Sequence, residues 1–201
     1  MAATTTPLQQ HLADGAPTAP GPLDAFTLAH AAFMAGERID MRGIADQLGV
    51  NRATLYRWVG GKELLLGEVI SSLAEVTMVN ARRDVGGRGA AHVAGVVQRG
   101  LEQMHTFPPM RAFIERDPEY ALRVLTSRES VVQLGSVSRM RDLLADEVAA
   151  GHLETKADLD DLAYVIIRIG ESFLYSDLII GRDPDVAKAG LMVRLLLGED
   201  S

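Results

Sequence analysis

The sequence contains no cysteine. Disulfides, thiolate metal sites and a cysteine nucleophile are thereby excluded, and the composition fits a reducing compartment. The five histidines (His11, His30, His92, His105 and His152) are scattered, none three or four residues from another. No pair therefore shares a helix face as metal ligands do, and neither a metal site nor a cofactor site is expected. Long apolar runs are also missing. No segment offers the roughly eighteen uninterrupted apolar residues that cross a bilayer. The N-terminal "MAATTTPLQQHLADGAPTAPGP" has neither the basic nor the apolar region of a secretory signal. The expectation is a cytoplasmic protein that does not engage a membrane. Catalytic signatures are absent as well: there is no G-x-S-x-G, phosphate loop, H-E-x-x-H or dinucleotide fingerprint. No catalytic residue is nominated, and the chain is not expected to be an enzyme.

The 201 residues that are present are 47% hydrophobic and 23% charged, enough apolar length for a real core. The formal net charge is -7, and both parts of the chain share it. Residues 1–84 hold seven bases and nine acids, and the remainder holds thirteen and eighteen. One stretch departs from this balance. From Gln47 to Lys62 there are three bases (Arg52, Arg57 and Lys62) and no acid, with Tyr56 and Trp58 among them. Salt confines electrostatic attraction to about 8–10 Å, so only such a local concentration lets an acidic protein approach nucleic acid.

Helical periodicity dominates, and no stretch alternates apolar and polar residues long enough for a sheet. The pattern predicts an all-α chain with helices over 23–35, 41–48, 52–58 and 62–82. On the last of these, Leu64, Leu65, Val69, Leu73 and Val76 form the expected buried stripe. "DVGGRG" at 84–89 marks a domain boundary. Beyond it, helices are expected near 90–106, 109–116, 118–126, 128–150, 158–180 and 184–197. Residues 1–21 are read as a disordered arm lacking Arg and Lys, 22–83 as a first domain and 84–201 as a second.

Two short helices joined by "LGVN" form a helix-turn-helix. On the second, Leu55 and Val59 are one turn apart and face inward, which leaves Arg52, Ala53, Tyr56 and Arg57 outside. A guanidinium beside a methyl-sized residue suits a major groove, where Arg pairs with guanine and Ala touches a thymine methyl. Thr54, Tyr56, Trp58 and Lys62 supply donors of the kind that hold phosphates.

"IDMRGIADQLGVNRATLYRWVGGKELLLGEV" resembles the DNA-binding region of the TetR family of bacterial regulators. The I-A-x-x-L-G-V core, the T-L-Y triplet and the K-E-L-L helix start carry the resemblance, which covers residues 25–70. It implies base-facing positions for Arg42, Arg52 and Ala53, and phosphate-contacting positions for Thr54, Tyr56, Trp58 and Lys62. Two departures stand out. Asp40 replaces a customary Thr, and Gly60-Gly61 replaces a polar cap before Lys62. The resemblance further implies an N-terminal three-helix DNA-binding domain, a near-palindromic double-stranded operator, and a C-terminal helical domain. That second domain would bind a small-molecule effector and form a homodimer through the last two helices.

Helix 158–180 is apolar except for Tyr164, Arg168, Glu171 and Tyr175, spaced i, i+4, i+7, i+11 along one side. Either Arg168 and Glu171 pair with each other or across a dimer, or the stripe is a pocket wall with a few oriented polar groups. Met104, Phe107, Met110, Phe113 and Tyr120 flank two proline breaks and serve either as further pocket wall or as core. Together with "RIGESFLYSDLIIGRDP", the first motif also resembles the QsdR branch of the family. That resemblance implies a repressor released by a small, weakly polar effector, a γ-lactone or acyl-homoserine lactone. Three other functions remain open: a lactone- or ester-processing helical enzyme, a ligand-dependent activator of the same fold, and an interaction module that no longer binds DNA.

Overall fold

The computed structural model describes residues 20–127 and 129–198. The expected arm, up to residue 19, lies outside the described residues. Those described form eleven α-helices and no strand, as the periodicity implies. Four helices make up the N-terminal part: α1 (Pro22–Met34), α2 (Met41–Gln47), α3 (Arg52–Val59) and α4 (Lys62–Asp84). Seven follow: α5 (Gly89–Thr106), α6 (Pro108–Arg116), α7 (Pro118–Thr126), α8 (Val131–Ala149), α9 (Leu159–Leu174), α10 (Ser176–Ile180) and α11 (Val186–Leu196).

Short polar side chains decide where the helices begin. Asp40 accepts the Arg42 N–H at 2.9 Å and Asn51 accepts the Thr54 N–H at 2.8 Å, so α2 and α3 each start on a side-chain cap. Pro108 and Pro118 occupy the first positions of α6 and α7, where a missing N–H costs nothing. The helix-turn-helix bends at Gly49, whose φ of 65° suits glycine. Gly60 closes α3 at φ 72°, donating its N–H to the Tyr56 carbonyl at 2.8 Å. A Cβ there would lie 2.6 Å from Leu64 Cδ2, so the Gly60-Gly61 pair makes a defined cap.

Two apolar cores result. The first gathers Ala29 and Phe33 of α1, Ile44 of α2, Leu55 of α3 and Leu65, Val69 and Ile70 of α4. It continues past the turn at 84–89 into Met110 and Phe113 of α6 and Val124 of α7. The second joins Ala81 of α4, Val93 and Val96 of α5, Met140 and Leu144 of α8, Ile166 of α9 and Val193 of α11. α4 contributes to both and ties them together. By length and composition α4 could cross a bilayer, yet Leu65, Leu66, Val69 and Ile70 are buried against neighbouring helices.

Two expectations need correction. The buried face of α4 is Leu65, Leu66, Val69 and Ile70, whereas Leu64 and Val76 are 44% and 58% exposed. Beyond Leu73 the inward positions are Ala74, Thr77, Met78 and Ala81, mostly small side chains that leave room inside. The single helix expected over 158–180 is broken. Tyr175 departs from helical geometry (φ -104°, ψ 21°), and α10 restarts with Leu178 and Ile179 N–H groups donating to the Tyr175 carbonyl. Burial of the Tyr175 ring accompanies the bend.

Candidate functional site

The α3 surface is built by the burial of one residue. Leu55 is fully enclosed, which fixes the rotation of the helix and leaves Arg52, Ala53, Tyr56 and Arg57 exposed on its outer side. Thr54, Trp58 and Val59 are half-buried, with Trp58 and Val59 packed against the first core. Arg52 lies over the Tyr56 ring, 5.8 Å from its centroid, and so stands along the helix. Arg42 is exposed on α2 beside Asp46, with Nε and Oδ2 3.9 Å apart, and Lys62 is exposed at the start of α4. No carboxylate belongs to α3 or its flanking turns, so a phosphate backbone meets no repulsion there.

The interior holds a cavity of about 110 Å³ enclosed mainly by α4, α5, α8 and α9. Its wall is apolar, with Ile70, Val97, Leu101, Met140 and Ile166 prominent. The polar exceptions are Thr77, Ser136, Arg139, Glu171 and Tyr175. Desolvation pushes the Glu171 carboxyl up to about 7, against the lowering influence of Arg168. Burial likewise pushes the Tyr175 phenol up, with the Glu171 charge adding to it. The Tyr175 hydroxyl donates to Met104 Sδ at 3.9 Å.

The expected pocket residues divide. Met104, Glu171 and Tyr175 line the cavity. Tyr164 and Arg168 do not. Tyr164 is 53% exposed, and Arg168 lies outside, its Nη1 2.5 Å from Glu171 Oε2. Along α9 the stripe passes from exposed at Tyr164 to buried at Tyr175, the residue that ends the helix. Phe107, Met110, Phe113 and Tyr120 do not line it either. Phe113 packs edge-on against Phe33 of α1 and Tyr120 of α7, with centroids 6.0 and 6.1 Å apart. Phe113 and Tyr120 instead border a second cavity of about 230 Å³ beside Lys62. There Arg116 of α6 donates to the Gly36 carbonyl after α1. The Phe/Met-rich segment thus joins the N-terminal helices to the rest of the molecule.

Arg139 and Ser136 escaped the sequence reading. The signal was present: Arg139 falls on the inward stripe of α8 shared with Val132, Ser136, Met140 and Leu143. Arg168 belongs to a stripe of four polar residues on an apolar helix, and α8 carries no such run around Arg139.

The elevated Glu171 carboxyl makes a prediction about pH. A carboxyl held at about 7 in the fold and near 4.5 when unfolded favours the folded state while protonated. Its contribution is complete below pH 4.5 and is lost as pH rises through about 7. Glu171→Gln removes that loss. Denaturant unfolding at pH 5 and pH 8 should show the variant gaining on the wild type by about 1–2 kcal/mol at the higher pH. An unchanged difference would show that Glu171 is solvated.

Residues 88–198 match the family model described as the tetracyclin repressor-like C-terminal domain. The chain belongs to the TetR family. The structure of the transcriptional repressor QsdR of R. erythropolis, from that family, superposes with a TM-score of 0.85 at 29% identity. The match covers 92% of this chain and 98% of QsdR, which supports the QsdR-like branch. PfmR, a TetR family transcriptional regulator of Thermus thermophilus, is similar at 21% identity over 88% of this chain and 96% of that one, with a TM-score of 0.40. No curated protein matches. The TetR fold brings an exposed basic α3 and a cavity between helices into one all-α chain.

Proposed function

We propose that this TetR-family chain is a cytoplasmic, homodimeric repressor that leaves its operator when a small effector enters the α4–α5–α8–α9 cavity. The observation that carries the reading is the pairing of an acid-free, outward-facing α3 with a largely apolar internal cavity bearing a few polar groups. Residues 22–83 act as the DNA-binding unit and 84–201 as the effector and dimer unit. Arg42, Arg52 and Ala53 read bases, while Thr54, Tyr56, Trp58 and Lys62 hold phosphates. Dimerisation runs through α9 and α11. Tyr164 and Val165 on the first, and Leu191 and Leu195 on the second, are 40–53% exposed with no partner in the monomer.

The effector is of the lactone class, small and weakly polar, as the resemblance of the two sequence motifs to the QsdR branch implies. The cavity limits its size. An engineered apolar cavity of about 150 Å³ admits benzene, and this one measures about 110 Å³. A small γ-lactone is of that order of size, whereas an acyl-homoserine lactone, with its tail, enters only as the helices part. That coupling is how occupancy favours an arrangement mismatched to the operator. A mobility-shift assay with DNA upstream of the protein's own gene tests the reading. The complex is expected to form and to dissociate as γ-lactones are added. Persistence of the complex with every lactone would remove lactones as effectors, and absence of a complex would remove the operator.

A further inference from the structure

Arg139 is the one cation lining the cavity among the described residues. It lines the cavity half-buried, and desolvation holds its guanidinium below the ordinary arginine range, with the Glu75 charge opposing. Its neighbours are two neutral hydroxyls at long range, Ser71 Oγ at 3.4 Å and Ser136 Oγ at 3.5 Å. Among the described residues no carboxylate lies within ion-pairing distance of it. Glu75 is exposed on α4, and Glu171, on the α9 wall, is engaged by Arg168. A half-buried guanidinium that meets only neutral hydroxyls has donors to spare for an anion entering the cavity.

The backbone beneath is shaped for this side chain. A Cβ on Gly135 would lie 2.9 Å from Arg139 Nη1 and 2.9 Å from Ser71 Oγ. The absence of that carbon lets the guanidinium lie back on α8 between Ser71 and Ser136. The polar end of the cavity is therefore a cation in a glycine cradle, lacking a counter-ion.

We propose that this cavity also holds the ring-opened form of such a lactone, the γ-hydroxy carboxylate, and holds it more tightly than the closed ring, with its carboxylate on Arg139. This rests on the reading of the cavity as the effector site. Both forms have the same carbon skeleton, but they differ in what they offer a guanidinium. The lactone presents a neutral carbonyl. The open acid presents two anionic oxygens that accept paired N–H bonds, which are shorter and about twice as strong as neutral ones. Its hydroxyl adds a second polar group for a wall that also carries Glu171 and Tyr175, whereas a closed ring has no hydroxyl to offer. The reaction that supplies such a ligand is lactone hydrolysis, so the protein would report that a lactone has been opened.

Calorimetric titration of the full chain at neutral pH, with 4-hydroxybutanoate against γ-butyrolactone and 4-hydroxyoctanoate against γ-octalactone, tests this. Each acid is expected to bind at least tenfold tighter than its lactone. Arg139→Gln should abolish that preference while leaving lactone affinity within about twofold. Gly135→Ala keeps the charge and favours the helix, yet displaces the guanidinium, and should reduce the preference in the same direction. Lactones binding as tightly as the acids would overturn the proposal. So would an acid preference that survives both variants, or no binding by any of the four compounds. Acids that bind through Arg139 without releasing DNA leave the proposal standing and count against the repressor mechanism instead.

Discussion

Leu195→Glu is expected to convert the protein to a monomer and to weaken operator binding by at least about a hundredfold. Leu195 is 45% exposed near the end of α11, one turn beyond the similarly exposed Leu191. In the monomer that face is wet, so a glutamate costs little and the subunit should fold normally. In a two-fold interface each substituted residue recurs in the partner, and two carboxylates are desolvated together. Operator affinity then falls because each half-site is bound separately and the second contact is no longer intramolecular. Sedimentation velocity and a mobility shift on one preparation read both consequences. A variant that sediments as a monomer yet binds its operator as the wild type does would break the link between assembly and recognition.

Arg52→Ala and Lys62→Ala are expected to fail in different ways. Arg52 stands on the exposed side of α3, steadied by the Tyr56 ring. Its removal should cost about 1–3 kcal/mol on the operator and relax base preference at one position in each half-site. Nonspecific DNA should be affected far less. Lys62, exposed at the start of α4, acts as a point charge, so Lys62→Ala should weaken all sequences alike and reduce the salt slope by about one per lost contact. Anisotropy titrations on operator and scrambled duplexes, at several salt concentrations, separate the two. Equal proportional losses on both duplexes for both variants would contradict the assignment of roles.

The reading head was legible in the sequence because its determinants are local. Asp40 and Asn51 are caps, Gly49 is a turn, and the enclosure of Leu55 follows from its spacing within an otherwise polar helix. The all-α class followed from the same periodicity. The cavity was less legible because it is defined by several helices meeting. The sequence marked Tyr164, Arg168, Glu171 and Tyr175 as one stripe, but only the crossing angle of α9 decides which of them is inside. Phe113 and Tyr120 look like pocket aromatics in isolation, and the contact of Phe113 with Phe33 of α1 depends on chain separated by some eighty residues. Arg139 is inconspicuous among the arginines of the chain until the neighbouring helices enclose it. The α4 stripe shifted for a related reason, since small residues at Ala74 and Thr77 face the cavity and leave Val76 outside.

The central claim is that a TetR-type reading helix in this acidic chain recognises one DNA sequence as a dimer. Quantitative footprinting of the purified protein on the region upstream of its own gene tests it most directly. The account predicts two protected segments related by two-fold symmetry, their centres about one helical turn or a multiple apart, surviving an excess of scrambled competitor. Protection spread uniformly along the duplex and erased by that competitor would contradict it.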